Sequence, residues 1–146
     1  MSNNLTSPKI IKGNKHSDER GSLSFINDFD LKDVRRSYII EPANTEIIRA
    51  WQGHKTEWKY FQVIQGSFTI GLVKIDNWDS PSKQLKPEFH TLNANTPSIL
   101  IVPGGYANGI TSNEPNAKLL VFSSSTLENA KDDEFRFPDT YWDFKM

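Results

Sequence analysis

The 146 residues contain no cysteine. Disulfide bonds and thiolate metal centres are therefore excluded, and the composition is compatible with the cytoplasm. No apolar run approaches the roughly 20 residues needed to span a bilayer. The opening stretch, MSNNLTSPKIIKGNKHSDERG, is polar and lacks the apolar centre of a secretory signal. Neither sign of charge is in excess, with seventeen Lys and Arg against eighteen Asp and Glu. A nucleic acid or an anionic membrane would favour a basic surplus, so neither is expected as a partner. No fixed-period repeat, low-complexity tract or long helical periodicity occurs before residue 126. One cytoplasmic domain with one core is the expectation: residues 1–17 as a mobile N-terminal segment, and 18–146 as the domain.

Aromatic residues are plentiful, at nine Phe, four Tyr and four Trp. They favour a β-rich core or a ligand-stacking cavity over a helical bundle. In GSLSFIND (21–28), Leu23 and Phe25 alternate with Ser22 and Ser24, the period of a half-buried strand. VRRSYIIE (34–41), TEIIRAWQ (45–52), KYFQVIQG (59–66) and SFTIGLVKI (67–75) continue the series, with a tight turn at Gln65-Gly66. PEFHTLN (87–93), SILIVP (98–103), ANGITSN (107–113) and AKLLVFSS (117–124) complete it. Many short strands separated by Gly, Pro and Asn turns predict a sandwich or barrel. In the tail, Thr126 is placed to cap a short helix. Phe135, Phe137, Tyr141, Trp142 and Phe144 then need a surface to cover, on the body or on a second subunit, because a soluble monomer rarely tolerates so large an apolar patch.

Two stretches can carry chemistry. RAWQGHK (49–55), with Lys59 following, places Gln52 and His54 two apart, on one face of a strand. Arg49, Lys59 and Arg20 are candidate anion clamps, since arginine makes bidentate contacts with phosphate and lysine supplies a point charge. The bland alternative is a strand edge with solvated charges. His16 and His90 are expected to be surface or structural. The second stretch is IVPGGYANGI (101–110), where Gly104-Gly105 permits a positive φ or close backbone approach, followed by Tyr106 and Asn108.

PGGYAN resembles the second cupin motif, Pro-x-Gly-x-x-His, with Asn108 in place of the histidine. RAWQGHK resembles the Arg-Gly-x-His-x-His-Lys stretch of the WxcM-like nucleotide-sugar 3,4-ketoisomerases, as DERGSLSFIND followed by VRRSYII resembles their opening. The stretch 101–110, and Asp139 and Trp142 in PDTYW, resemble dTDP-4-dehydrorhamnose 3,5-epimerase. The resemblance runs from about Asp18 to Trp142. It implies an all-β fold, a cupin jelly roll with a short C-terminal helical and aromatic segment, and a homodimer whose N-terminal strands cross to the partner. It further implies a barrel holding a dTDP-linked 4-keto-6-deoxyhexose, and proton abstraction beside the ketone without metal or cofactor.

The departures decide which chemistry is open. Gln52 stands where the relatives place their base histidine, and an amide cannot carry a proton between groups. His54 matches the second histidine of the ketoisomerases. On this reading His54 is the proton carrier, since its ordinary pKa of about 6.5 suits that work. Tyr106 is the acid or orients the ketone, and Gln52 and Asn108 polarise the sugar carbonyl. The alternatives are a non-catalytic cupin that binds a sugar nucleotide or carbohydrate, and an interaction module with a filled barrel. His54 and Glu57 are too few for a firmly held transition metal.

Overall fold

The computed structural model describes residues 5–145. Twelve strands run in the order β1 (Lys9–Lys12), β2 (Asn14–Asp18), β3 (Gly21–Phe25), β4 (Arg36–Ile40), β5 (Ile48–His54), β6 (Lys59–Gln65), β7 (Ser67–Lys74), β8 (Glu88–Asn93), β9 (Ser98–Val102), β10 (Tyr106–Ser112), β11 (Lys118–Ser123) and β12 (Phe135–Arg136). Between β11 and β12 lie α1 (Leu127–Ala130) and one 3₁₀ turn, Lys131–Asp133. Two five-stranded sheets, ordered β1-β9-β6-β11-β4 and β12-β5-β10-β7-β8, carry the fold. All their pairings are antiparallel. This is the expected jelly roll. Among the described residues no helix is long and apolar enough to cross a membrane.

The strands form where β-branched and aromatic residues alternate, and their inner faces make the core. Phe61, Val63, Phe68, Ile70, Leu72, Leu100, Leu119 and Val121 are all buried in one cluster between the sheets. The turn at Gln65-Gly66 needs its glycine: Gly66 has φ +75°, and a Cβ there would meet Ala117 Cβ at 2.9 Å. At the β9–β10 turn, Gly105 has φ +100°, and a Cβ on Gly104 would lie 2.5 Å from the Lys55 carbonyl oxygen. That turn therefore packs directly on the segment following β5.

The aromatic tail covers its own subunit. Trp142 is buried against the outer face of the second sheet with Trp51, Val73 and Ala107. Trp51 Nε1 donates to the Trp142 carbonyl at 3.1 Å, and Trp142 Nε1 donates to the Ser82 carbonyl at 2.9 Å. Thr126 does cap α1, its hydroxyl accepting from the Asn129 amide at 3.1 Å.

The N-terminal part departs from the sequence expectation. Residues 1–17 were set apart from the domain, but Lys9–Lys12 pairs along β9 as the edge of the first sheet. Asn14–Asp18 pairs with Gly21–Phe25 as a separate hairpin. Leu23 on that hairpin is 63% exposed, so the alternation in GSLSF marks a strand but not a face buried within this chain. Residues 1–4 lie outside the described part.

Candidate functional site

Arg49 and Gln52 meet one cavity because β5 breaks its own period. Against β10, Arg49 pairs with Ile110, Gln52 with Asn108 and His54 with Tyr106, with a register shift between Asn108 and Gly109. Tyr106, Asn108 and Ile110 are two apart and share one face of β10. Arg49, Gln52 and His54 therefore share the facing row, although Arg49 and Gln52 are three apart. Trp51 is the extra residue of this bulge, and it joins the cluster on the outer face. A regular strand would have sent Arg49 and Gln52 to opposite sides.

The resulting cavity, of about 360 Å³, is lined by Arg49, Gln52, Lys59 and Asn108, together with Tyr38, Phe61, Ile110 and Arg136, among others. Its lining holds three cations (Arg49, Lys59, Arg136) and no carboxylate. Such a surface favours an anionic ligand. Arg136 comes from β12, where it pairs in register with Gln52. One row across three strands thus reads Arg136, Gln52, Asn108.

Four of the seven site residues expected from sequence line this cavity. His54 and Tyr106 do not, although both lie on the inner face. Tyr106 packs in the core cluster and its hydroxyl donates to the Thr6 carbonyl at 3.4 Å. Burial, then the charge of Glu88, push its phenol up. Arg20 is 83% exposed in the β2–β3 turn, where its Nη2 lies 2.7 Å from Asp18 Oδ2, and it is not part of the lining. Tyr38 and Arg136 were missed. Tyr38 sat unmarked within a strand pattern, and Arg136 in a tail read only for its aromatics.

His54 is 4% exposed. Its Nδ1 lies 2.9 Å from the Asp133 carbonyl oxygen and 3.4 Å from Glu57 Oε1. A carbonyl only accepts, so Nδ1 carries the proton and Nε2 is the bare nitrogen of the neutral ring. Nε2 is buried without a hydrogen-bond partner among the described residues. Burial pulls the imidazole pKa down, and its net shift is downward despite the raising effect of Glu57.

A linked set of charges connects this histidine to the cavity. Glu57 is fully buried, and its Oε2 accepts from the Ser123 hydroxyl, from Arg36 Nη2 at 3.2 Å and from Lys59 Nζ at 3.0 Å. Burial alone would push the Glu57 carboxyl up, but the Ser123 and Lys59 contacts hold it below its ordinary value. Lys59 Nζ also donates to the Tyr38 hydroxyl oxygen at 2.8 Å. Asp133 closes the back of the site: its carboxylate accepts from the amides of Lys55, Thr56 and Glu57 at 2.7, 2.9 and 2.7 Å, and from the Thr56 hydroxyl at 2.9 Å.

His54, Glu57 and Asp133 bring potential ligand atoms within 4.8 Å of one another. They do not fit a metal. Both Asp133 oxygens and Glu57 Oε2 already accept from protein donors, and His54 Nδ1 carries a proton, which leaves His54 Nε2 and Glu57 Oε1 as two unpartnered ligand atoms among the described residues, too few to hold a transition metal firmly. Lys59 and Arg36 already place two positive charges on Glu57.

Fold and site together define a jelly-roll cupin with a cationic internal cavity. A family model described as WxcM-like, C-terminal (FdtA) matches residues 6–145, and the chain belongs to that family. A search of curated proteins finds no match. Among solved structures, the QdtA sugar 3,4-ketoisomerase of Thermoanaerobacterium thermosaccharolyticum, in complex with TDP, aligns at TM-score 0.69 and 23% identity, covering 94% of this chain and 93% of its own. The WlaRB TDP-quinovose 3,4-ketoisomerase of Campylobacter jejuni aligns at TM-score 0.68 and 23% identity, over 94% and 98% of the two chains. The rmlC epimerase of Mycobacterium tuberculosis aligns at TM-score 0.73 and 18% identity, over 93% and 71%. These likenesses establish the shared fold.

Proposed function

We propose that this protein binds a dTDP-linked 4-keto-6-deoxyhexose in the cavity and moves a proton beside its ketone, as a sugar-nucleotide 3,4-ketoisomerase. The observation that carries the reading is the contact between Tyr38 and Lys59 in a cavity with three cationic side chains and no carboxylate. Apart from the arginines, Tyr38 and Lys59 are the titratable groups of that lining.

The Arg49 side chain makes no hydrogen bond or ion pair among the described residues, so it is available to the diphosphate. Gln52 and Asn108, side by side in register, hydrogen-bond the sugar oxygens and hold the charge of an enolate. Lys59, anchored by Glu57, stabilises a phenolate at Tyr38. In that form the Tyr38 oxygen takes the proton from C3 and returns it at C4, while the hydroxyl proton passes between the neighbouring oxygens. A single carrier suffices for transfer between adjacent carbons. Epimerisation needs delivery from the opposite face, which is why the ketoisomerase reading is preferred over the epimerase. His54 and Tyr106 hold the inner wall in this account.

A non-catalytic binder is the second reading, favoured by the absence of His54 from the lining and by Gln52 in place of a histidine. Either activity belongs with a cytoplasmic homodimer serving cell-surface polysaccharide biosynthesis, the exposed β2–β3 hairpin being the segment free to meet a second copy. Product analysis after incubation with dTDP-4-keto-6-deoxyglucose tests the choice. Formation of the 3-keto isomer, lost in Tyr38→Phe, supports the enzyme; binding with no product from the unaltered protein supports the binder.

A further inference from the structure

Arg136 is not free. Its Nη2 lies 2.6 Å from Glu134 Oε1, and the same oxygen accepts from Gln52 Nε2 at 2.5 Å. One carboxylate therefore ties together two cavity-lining donors that are cross-strand neighbours. The other exposed cation of the lining, Arg49, has no such partner among the described residues. The two arginines flank Gln52, one along β5 and the other across on β12.

We propose that Glu134 is an internal stand-in for the ligand's anion: it occupies the Gln52–Arg136 donor pair, and a phosphate group that binds between Arg49 and Arg136 must displace it. This deepens the nucleotide-sugar reading and rests on it for the identity of the anion. A phosphate oxygen seated between Nη2 and Nε2 would take the place of Oε1, which draws both donors to one point. The carboxylate also repels an incoming diphosphate, so it lowers affinity twice over. Once released, Glu134 leaves Gln52 free to turn its amide to the ligand. The C-terminal segment that carries Glu134 and Arg136 is thereby coupled to occupancy of the barrel.

The test is calorimetric titration of the full chain with TDP and, separately, with inorganic pyrophosphate, in the unaltered protein, Glu134→Gln, Arg136→Ala and the double variant. Thermal melts check that each variant is folded. Competition predicts that Glu134→Gln tightens both ligands by about three- to fivefold, the scale of an exposed ion pair. It predicts that Arg136→Ala weakens both, and that the gain from Glu134→Gln shrinks in the Arg136→Ala background. TDP affinity unchanged or reduced by Glu134→Gln overturns the competition while leaving the nucleotide reading intact. Pyrophosphate binding that tightens in Glu134→Gln, without any TDP binding, upholds the competition and overturns the nucleotide reading. No binding of either ligand to any variant overturns both.

Discussion

The main-chain oxygen of Asp133 accepts the Nδ1 proton of His54 at 2.9 Å, across 79 residues of sequence. One residue from the C-terminal segment thus fixes the tautomer of the only histidine on the inner row of β5. At neutral pH the ring should carry its proton on Nδ1 and none on Nε2. Nitrogen-15 chemical shifts of the histidines will show this directly. Because burial lowers the pKa of His54, the ring should stay neutral to a pH below the ordinary value of about 6.5. An Nε2-protonated ring, or a doubly protonated one at pH 7, contradicts the assignment.

The Asp133 carboxylate makes a stability prediction. Burial would raise its pKa, yet hydrogen bonds from the amides of Glu57, Thr56 and Lys55 and from the Thr56 hydroxyl bring it below the ordinary value. A depressed pKa in the fold means that the unfolded chain binds more protons. The contribution of Asp133 is therefore complete above about pH 4 and is lost as the pH falls through the lower folded value. Asp133→Ala should cost about 2–4 kcal/mol at pH 7 by leaving amides without acceptors. Denaturant titrations from pH 7 to pH 3 should show a shallower acid loss in Asp133→Ala than in the unaltered protein.

Arg49 is the cleanest probe of the ligand's charge, since no side-chain hydrogen bond or ion pair among the described residues has to be broken to replace it. Arg49→Ala should weaken TDP by roughly 10- to 100-fold, the scale of a lost charged hydrogen bond, with little change in melting temperature. An unaltered affinity removes Arg49 from the diphosphate site.

Trp142 holds the tail that delivers Arg136. It is 2% exposed and packs edge-on against Trp51, with ring centroids 5.7 Å apart. Trp142→Ala should cost about 3–5 kcal/mol and weaken ligand binding, because the segment following β12 loses its seat. A normal affinity in a folded Trp142→Ala protein would mean that the tail does not shape the cavity.

Much of the fold was legible because alternation and turn chemistry are local. The strands containing Phe61, Ile70 and Leu119 follow from short runs rich in β-branched and aromatic residues, although only the last alternates in burial, and Gly66 and Gly105 mark turns with positive φ. The pairing of β1 and β12 was not legible, since Lys9–Lys12 and Phe135–Arg136 are short and gain their hydrogen bonds only from distant edges. The site was half visible. Arg49, Gln52, Lys59 and Asn108 carry a polar signal inside apolar strands. Tyr38 and Arg136 do not, because their roles depend on which strand lies opposite. The strand pattern also could not reveal the bulge at Trp51, which alone puts Arg49 and Gln52 on one face. Nor could it show that His54 is tied back by a main-chain carbonyl from the tail.

Proton transfer in the Tyr38–Lys59 cavity can be read from deuterium exchange into the sugar. Purified protein is incubated with dTDP-4-keto-6-deoxyglucose in deuterated water, and the sugar protons are followed by NMR. The account predicts loss of the C3 proton signal with the unaltered protein, and its persistence with Tyr38→Phe and Lys59→Met. Ligand line-broadening without any exchange would contradict catalysis at this site and leave the protein a binder of nucleotide sugars.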